Sequence, residues 1–93
     1  MERTEVTYFR REVAARLSGL SRERLRRLER SGLIRPARQQ GPVRLYGAPE
    51  LARLRKIRRL MDDLGVNLAG VEVILRLAEE VDRLRNELSG RDT

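Results

Sequence analysis

The sequence contains no cysteine and no histidine, and their absence excludes several classes of functional site. Without these residues the chain can form no disulfide, no metal site built from Cys or His, and no Cys- or His-based nucleophilic centre. Catalysis by carboxylates alone, or by Ser and Lys, stays chemically possible, but no such arrangement stands out. We therefore predict no catalytic residues, no metal site and no cofactor, and we do not expect an enzyme.

Aromatic residues and long apolar segments are also scarce. Only 3% of the 93 residues are aromatic while 40% are hydrophobic, so we expect a core built from Leu, Val and Ile. No apolar run is long enough to cross a membrane, and the N-terminus carries no signal-peptide pattern. These features predict a cytoplasmic protein with one small domain and one appended element.

Charge is distributed unevenly along the chain. Residues 1–60 contain 17 basic and 6 acidic side chains, a net charge of +11, whereas residues 61–93 contain 4 basic and 8 acidic ones, a net charge of −4. A GC-rich coding sequence would explain why 20 of the 21 basic residues are arginine, but not why they crowd into the first two thirds. This layout is typical of a protein that binds a polyanion through its first part only.

The stretch from Gly19 to Leu33 predicts a DNA-recognition helix. Ser21 is a favourable N-cap residue, and Gly32 stands where a left-handed residue would end the helix. At about 100° per residue, Leu25 and Leu28 share one side and charged residues cover the other. Arginines there can bind phosphate oxygens or the O6/N7 edge of guanine, although a merely solvated charged helix is the alternative. The candidate DNA contacts are Arg22, Glu23, Arg26, Arg27 and Arg30.

A shorter helix is predicted immediately before it, over residues 10–18. Val13, Ala14 and Leu17 would form its apolar face, and Gly19 is a candidate C-cap. A short helix, a glycine-containing turn of a few residues and a capped second helix together indicate a helix-turn-helix.

Residues 38–46 predict two short strands around a Gln-Gly-Pro turn. Alternation places Val43 and Leu45 on one face of this hairpin, and Arg44 and Tyr46 on the other. A basic hairpin after a recognition helix is typical of a wing, so Arg38, Arg44 and the Tyr46 hydroxyl are candidate phosphate contacts. The alternatives are a bare surface hairpin and, for Tyr46, a partly buried packing role.

Two more helices are predicted after the hairpin. Pro49 opens the first, which runs to about Asp63 and is ended by Gly65. Its apolar stripe is Leu51, Leu54, Ile57, Met61 and Leu64.

The last helix begins after Asn67 as N-cap and extends from Leu68 to about Leu88. One apolar stripe, Leu68, Val71, Leu75 and Ala78, could pack on the domain. A second stripe has the 3-4-3-4 spacing of a heptad seam and predicts dimerisation, with packing inside one chain as the alternative. The dimerisation residues are Ile74, Leu77, Val81, Leu84 and Leu88.

Together these patterns predict a mainly α fold, a winged helix-turn-helix with a C-terminal dimerisation helix. We expect a DNA-binding domain over residues 1–66, a helix for packing and dimerisation over 67–89 and a disordered tail over 90–93. The expected partners are double-stranded DNA and a second copy of the chain.

Several short motifs resemble the N-terminal DNA-binding domain of the MerR family of transcriptional regulators. They are Glu12-Val13-Ala14, Gly19-Leu20-Ser21, Leu25-Arg26, Glu29-Arg30, Gly32-Leu33-Ile34 with Pro36, and Arg44-Leu45-Tyr46. Residues 64–71 look most like the heat-shock repressor (HspR-like) branch, whose members control chaperone operons.

The resemblance implies a dimeric repressor of chaperone or heat-shock genes on a pseudo-palindromic operator, with a DnaK- or DnaJ-type chaperone as a candidate partner. Arg26 takes the position of the family's recognition-helix arginine, and Arg44 and Tyr46 take those of its wing. Leu28 replaces an aromatic residue that helps family members to hold the DNA backbone. Because the sequence has no cysteine and no effector domain, we expect neither metal sensing nor drug sensing.

The last helix also resembles that of the chaperone-modulator proteins, which have a MerR-like fold and bind the J-domain of a DnaJ-type co-chaperone. A J-domain presents a basic helix, so its binder should be acidic, and this chain is acidic only after Leu60. The arginine-rich recognition helix therefore favours DNA over a J-domain.

Overall fold

The computed structural model of the protein describes residues 6–91, and the chain divides into two compact units, Met1–Arg59 and Leu60–Thr93. The first unit contains β1 (Phe9–Arg10), α1 (Arg11–Ser18), α2 (Arg22–Arg30), β2 (Arg38–Gln40), β3 (Val43–Tyr46) and α3 (Ala48–Arg58). A π-helical turn, Arg59–Asp63, and the long helix α4 (Leu68–Arg91) follow. The predicted mainly α fold with a helix-turn-helix, a wing and a C-terminal helix is confirmed.

Helix α1 ends as predicted but buries a different face. Gly19 is its left-handed C-cap, with φ of 73°, and a Cβ at this position would lie 2.9 Å from Cδ of Arg58. The buried residues are Ala14, Ala15 and Ser18, whereas the side chains of Val13 and Leu17 are 37% and 44% exposed. The predicted face is therefore wrong by one position. Arg11, which binds Glu29 of α2, lies on the same stripe of α1 as the buried Ala14, Ala15 and Ser18.

Helix α2 forms as its local signals predict. The Oγ of Ser21 accepts a 3.1 Å hydrogen bond from the Arg24 N–H, as an N-cap should. At the other end Gly32 has φ of 80°, and its N–H donates to the carbonyl of Glu29 over 3.1 Å. Leu25 and Leu28 are buried, so Leu28 lies in the core and offers nothing to DNA. Helix α2 is thus fixed by its leucines and exposes its charged face.

The predicted hairpin is also confirmed and gains a third strand. The sheet is antiparallel with the order β1-β3-β2, and Gln40 pairs with Val43 next to the Gly41 turn. Phe9 and Arg10 of β1 pair with Tyr46 and Leu45, so Arg10 belongs to a strand and not to α1. This third strand anchors the base of the hairpin to the start of α1.

Helix α3 contributes the remaining core of the first unit. Leu51, Leu54 and Ile57 are buried, and the Glu50 carboxylate accepts a 2.7 Å hydrogen bond from the Gly47 N–H at the helix start. The predicted stripe does not continue to Leu64, which is 71% exposed. The π-helical turn changes the angular phase of the side chains, so the three- and four-residue spacing no longer keeps one face.

Helix α4 begins as predicted and runs further. The Oδ1 of Asn67 accepts a 2.8 Å hydrogen bond from the Gly70 N–H. The sequence predicts disorder from residue 90, but the helix continues through Gly90 and Arg91, and Asp92 and Thr93 lie outside the described residues. Just before these last residues, Arg83 and Glu87 form a 2.7 Å ion pair at four-residue spacing, which stabilises this part of the helix. None of the described helices is both long and apolar enough to span a membrane.

Candidate nucleic-acid interface

An open groove between α2 and the hairpin gathers six arginines of the first unit. Arg22, Arg26 and Arg30 line it at four-residue spacing along α2, on the side opposite the buried leucines. The hairpin contributes Arg44 and Gln39, which pair across β2 and β3. The remaining lining residues are Arg11, Glu23, Glu29, Ile34, Arg35 and Pro36. Among the predicted contacts, Arg22, Glu23, Arg26, Arg30 and Arg44 are thus brought together.

The carboxylate of Glu29 is the polar centre of this region. Its two oxygens accept hydrogen bonds of 2.8 Å from Nε and a terminal nitrogen of Arg11. It also accepts a hydrogen bond from the Tyr46 hydroxyl and pairs with Nε of Arg44 at 3.4 Å. One side chain of α2 therefore binds the start of α1 and two residues of the wing strand.

The charges around Glu29 set its protonation. Burial acts to raise the pKa of Glu29, but the hydrogen bonds from Arg11 and Tyr46 outweigh it and the pKa is lowered. The hydrogen bond to Glu29 raises the pKa of Arg11, and burial followed by the same carboxylate raises the pKa of Tyr46. Near neutral pH the cluster is therefore an ionised carboxylate held by a guanidinium and a neutral phenol.

Tyr46 has a different role from the one its position in the wing suggests. The prediction that Arg44 and Tyr46 share a face is confirmed, since both reach Glu29. Tyr46 is nevertheless fully buried, and its hydroxyl already donates to that carboxylate. The predicted phosphate contact through this hydroxyl is contradicted, because Tyr46 is enclosed at the base of the hairpin, whereas Arg44 on the same face still reaches the groove. The alternative of a packing aromatic describes Tyr46 correctly.

Arg38 and Arg27 lie away from the groove. Arg38 pairs with Leu45, so it is on the hairpin face opposite Arg44, and its guanidinium lies 5.0 Å from the centre of the Tyr8 ring. This is the distance of a cation–π contact. Arg27 is exposed on α2 but does not line the groove. The structure therefore separates these two arginines from the other predicted contacts.

Several groove arginines have no acidic partner among the residues that the structure describes. Arg26, Arg30 and Arg35 are exposed and form no ion pair with any residue in the described range 6–91. Arg22 pairs with Glu12 at 3.1 Å, but both side chains are more than half exposed, so the pair is weak and open to exchange. The groove therefore presents unneutralised guanidinium groups to solvent.

Sequence reasoning missed Arg11, Arg35 and the central role of Glu29. Arg35 lies between Ile34, which is buried, and Pro36. An arginine fixed in a short connection after the recognition helix could have been recognised from the sequence as a candidate DNA contact. Arg11 and Glu29 are 18 residues apart, and no local spacing connects them.

The predicted dimerisation stripe is exposed along α4 of the second unit. The exposed fractions are 38% for Ile74, 59% for Leu77, 45% for Val81, 45% for Leu84 and 61% for Leu88. Val71 and Leu75 on the other stripe are buried. The exposed stripe is bordered by ion pairs of Arg83 with Glu80 and Glu87. These five side chains form an apolar band on an otherwise charged helix.

Comparison with known proteins gives consistent results. Residues 10–90 match the model of the MerR HTH family of regulatory proteins. Over 73 residues the chain is 42% identical to a Streptomyces coelicolor protein whose name, HspR, assigns it to the heat shock proteins; the match covers 78% of this chain and 48% of that protein. It is also 30% identical over 78 residues to the HTH-type transcriptional regulator GlnR of Bacillus anthracis, covering 84% of this chain and 60% of that protein. The chain thus spans about half the length of the HspR relative.

Proposed function

This chain belongs to the MerR HTH family of DNA-binding transcriptional regulators, and we propose that it represses heat-shock genes by binding a pseudo-palindromic operator as a dimer. The observation that carries the proposal is the groove between α2 and the hairpin, where Arg26, Arg30 and Arg35 lack acidic partners among the described residues. Such a surface matches the phosphates and guanine edges of duplex DNA.

Helix α2 is the proposed reader of the major groove. Its leucines fix it to the core, so Arg22, Arg26 and Arg30 project from a rigid element. Base edges are contacted mainly from the N-terminal part of a recognition helix, which favours Arg26 for a bidentate guanine contact. Glu23, three residues earlier on the same helix, is our candidate to accept from a cytosine amino group or to exclude other bases.

The wing supplies the proposed backbone contacts. Arg44 leaves 35% of its side chain exposed while Glu29 fixes its position at 3.4 Å. Because this guanidinium is already held in place, little further side-chain entropy is lost when it binds a phosphate. Phosphate contacts of this kind set register and affinity but carry no sequence information.

Dimerisation through the exposed stripe of α4 would give the two-fold symmetry that a pseudo-palindromic operator mirrors. The assignment to heat-shock genes is supported by the 42% identity to HspR, whose name links it to heat shock. The basic groove gives no corresponding support for binding a basic J-domain.

The proposal is tested by measuring affinity for a labelled fragment containing a heat-shock promoter across a series of salt concentrations. We expect log K to fall with log salt by about 0.9 per phosphate neutralised. Arg26→Ala should weaken binding by about ten-fold or more at the preferred site, whereas Arg27→Ala, which removes the same charge outside the groove, should change it little. Affinity that is insensitive to salt, or capture of a J-domain without binding of DNA, would refute the proposal.

A further inference from the structure

Arg11, the first residue of α1, lies between two recesses of the first unit. It lines the groove between α2 and the hairpin, and it also lines a smaller recess of about 160 Å³ formed by the start of α1, α2 and the turn of the hairpin. Five arginines and one carboxylate, that of Glu12, line the smaller recess. Glu12 is paired with Arg22 at 3.1 Å. The smaller recess is therefore strongly positive.

The guanidinium of Arg11 uses only one of its edges within the protein. Nε and Nη2 donate to the two carboxylate oxygens of Glu29, each over 2.8 Å. The Tyr46 hydroxyl donates to the same oxygen as Nε, so it lies at this edge as well. An arginine carries five N–H donors in one rigid plane, and Nη1 donates to none of the residues that the structure describes. The Arg11 side chain is 22% exposed, which leaves room for a ligand at its unused edge.

The charges around Glu29 leave an excess of one positive charge. The single carboxylate of Glu29 pairs with Arg11 at 2.8 Å and with Arg44 at 3.4 Å. One negative charge cannot neutralise two guanidinium groups. Arg44 is 35% exposed and lines the same smaller recess as Arg11. One further anion beside these two arginines would therefore balance the charges.

We propose that the smaller recess binds one backbone phosphate of the DNA duplex, held by the unused edge of Arg11 and by Arg44, with Glu29 as a positioning residue. This rests on the proposed function and adds a phosphate site at the start of α1. Arginine binds phosphate through two parallel N–H donors, and the outer edge of Arg11 offers such a pair. The first helix of a helix-turn-helix crosses the DNA backbone, which brings its residues near phosphates. Because Glu29 fixes the plane of Arg11, little side-chain entropy is lost on binding.

Replacing single phosphates of the DNA tests this site. In a short duplex from the heat-shock promoter fragment, each phosphate is exchanged in turn for an uncharged methylphosphonate, and affinity is measured for the wild type and for Arg11→Ala. At a specific phosphate we expect the wild type to lose about ten-fold in affinity. Arg11→Ala should lose less than about two-fold there, because the partner of that phosphate is already absent. A role of Arg11 in the fold alone would weaken binding of all these duplexes equally.

Two further variants separate DNA binding from folding. Arg16→Ala is the matched control, since it removes an exposed arginine of the same helix that lines neither recess. It should respond to every phosphate replacement as the wild type does. Arg11→Ala deprives Glu29 of a partner, so circular dichroism is used to check that this variant folds. Arg11→Gln combined with Glu29→Gln removes both charges of the pair and should show the same insensitivity at that phosphate, and it decides the question if Arg11→Ala is unfolded.

The possible results distinguish this phosphate site from the proposed function. A phosphate whose replacement weakens binding by the wild type and Arg16→Ala but not by the folded Arg11 variant supports the site. Equal losses for the wild type and the Arg11 variant at every phosphate would overturn it, while DNA binding by the groove would stand. A wild type whose affinity responds neither to any phosphate replacement nor to salt would overturn the proposed function as well.

Discussion

Glu29→Gln tests whether one partly buried carboxylate holds the recognition helix, α1 and the wing together. The Glu29 side chain is 12% exposed and binds Arg11 through two hydrogen bonds of 2.8 Å. It also accepts from Tyr46 and pairs with Arg44 at 3.4 Å. Glutamine keeps the shape of the side chain, but it removes the charge and turns an N–H group towards donors.

The expected cost follows from these contacts. A hydrogen bond to a charged group contributes about 1.5–3 kcal/mol, and removing one partner of a buried ion pair costs about 3–5 kcal/mol. Arg11 keeps 22% of its side chain exposed and can recover water, and the amide oxygen of glutamine can still accept one bond. We therefore expect the free energy of unfolding to fall by about 2–4 kcal/mol, a large part of the roughly 5–15 kcal/mol of a typical domain.

Urea unfolding followed by circular dichroism measures this loss. Glu12→Gln is the matched control, because Glu12 also pairs with an arginine, Arg22, but both side chains are more than half exposed. An exposed pair contributes about 0–1 kcal/mol, so the control should unfold close to the wild type. Equal midpoints for the wild type and Glu29→Gln at pH 7, or equal losses for both variants, would refute the role assigned to Glu29.

The difference in the free energy of unfolding between the wild type and Glu29→Gln should depend on pH in one direction only. The folded-state pKa of Glu29 is lowered, since hydrogen bonds from Arg11 and Tyr46 outweigh the effect of burial. The stabilisation is therefore fully present above the unfolded-state pKa of about 4.3 and is lost as the pH falls through the folded-state value. The difference in the free energy of unfolding between the wild type and Glu29→Gln should therefore become smaller below about pH 4. A gap that stays constant in acid would contradict the assignment.

Four further predictions concern the interface, the core and the dimer. Site selection with Arg26→Ala should show relaxed preference at one base pair, at a cost of about 1–3 kcal/mol there, and an unchanged consensus would make Arg26 a phosphate contact only. Arg44→Ala should reduce the slope of log K against log salt by about one, while Arg38→Ala, on the opposite hairpin face, should leave it unchanged; equal effects would contradict the groove. Leu25→Ala should lower the free energy of unfolding by about 2–5 kcal/mol in urea titrations, because it leaves a cavity at a fully buried site, and a loss below that range would mean that the core closes around it. Val81→Glu should give a monomer in sedimentation with the DNA-binding unit still folded, since it places a carboxylate in the seam, and a stable mutant dimer would place the interface elsewhere.

Local signals in the sequence predicted the elements of the fold well. The caps at Ser21 and Asn67 each depend on one hydrogen bond to a residue three positions later, and the turn at Gly41 needs only its own backbone conformation. The two leucines of α2 are buried as their spacing predicts. Each of these patterns involves only residues within a few positions of one another, so it can be recognised without knowledge of the tertiary structure.

The candidate site was less accessible to sequence reasoning because its centre is not local. Glu29 meets Arg11 and Tyr46 over separations of 18 and 17 residues. Nothing in the spacing of charges singles out Arg11 among the 21 basic residues, and Tyr46 carries no charge that would point to it. The buried face of α1, which includes Ala15 and not Leu17, was likewise not evident from the spacing of its apolar residues. Alternation in β3 correctly grouped Arg44 with Tyr46, but only the tertiary structure shows that Tyr46 is fully buried while Arg44 reaches the groove.

The Glu29 cluster divides the groove arginines into two kinds. Arg11 and Arg44 share a carboxylate and are held in place, so their positive charge is partly neutralised but their geometry is fixed. Arg26 and Arg30 lie on the same helix as Glu29 without an acidic partner in the described structure, so they keep their full charge and repel one another. A polyanion in the groove would remove that repulsion and would meet a wing already fixed in position. Binding of DNA should therefore also stabilise the fold, because a ligand that binds only the native state shifts the folding equilibrium towards it.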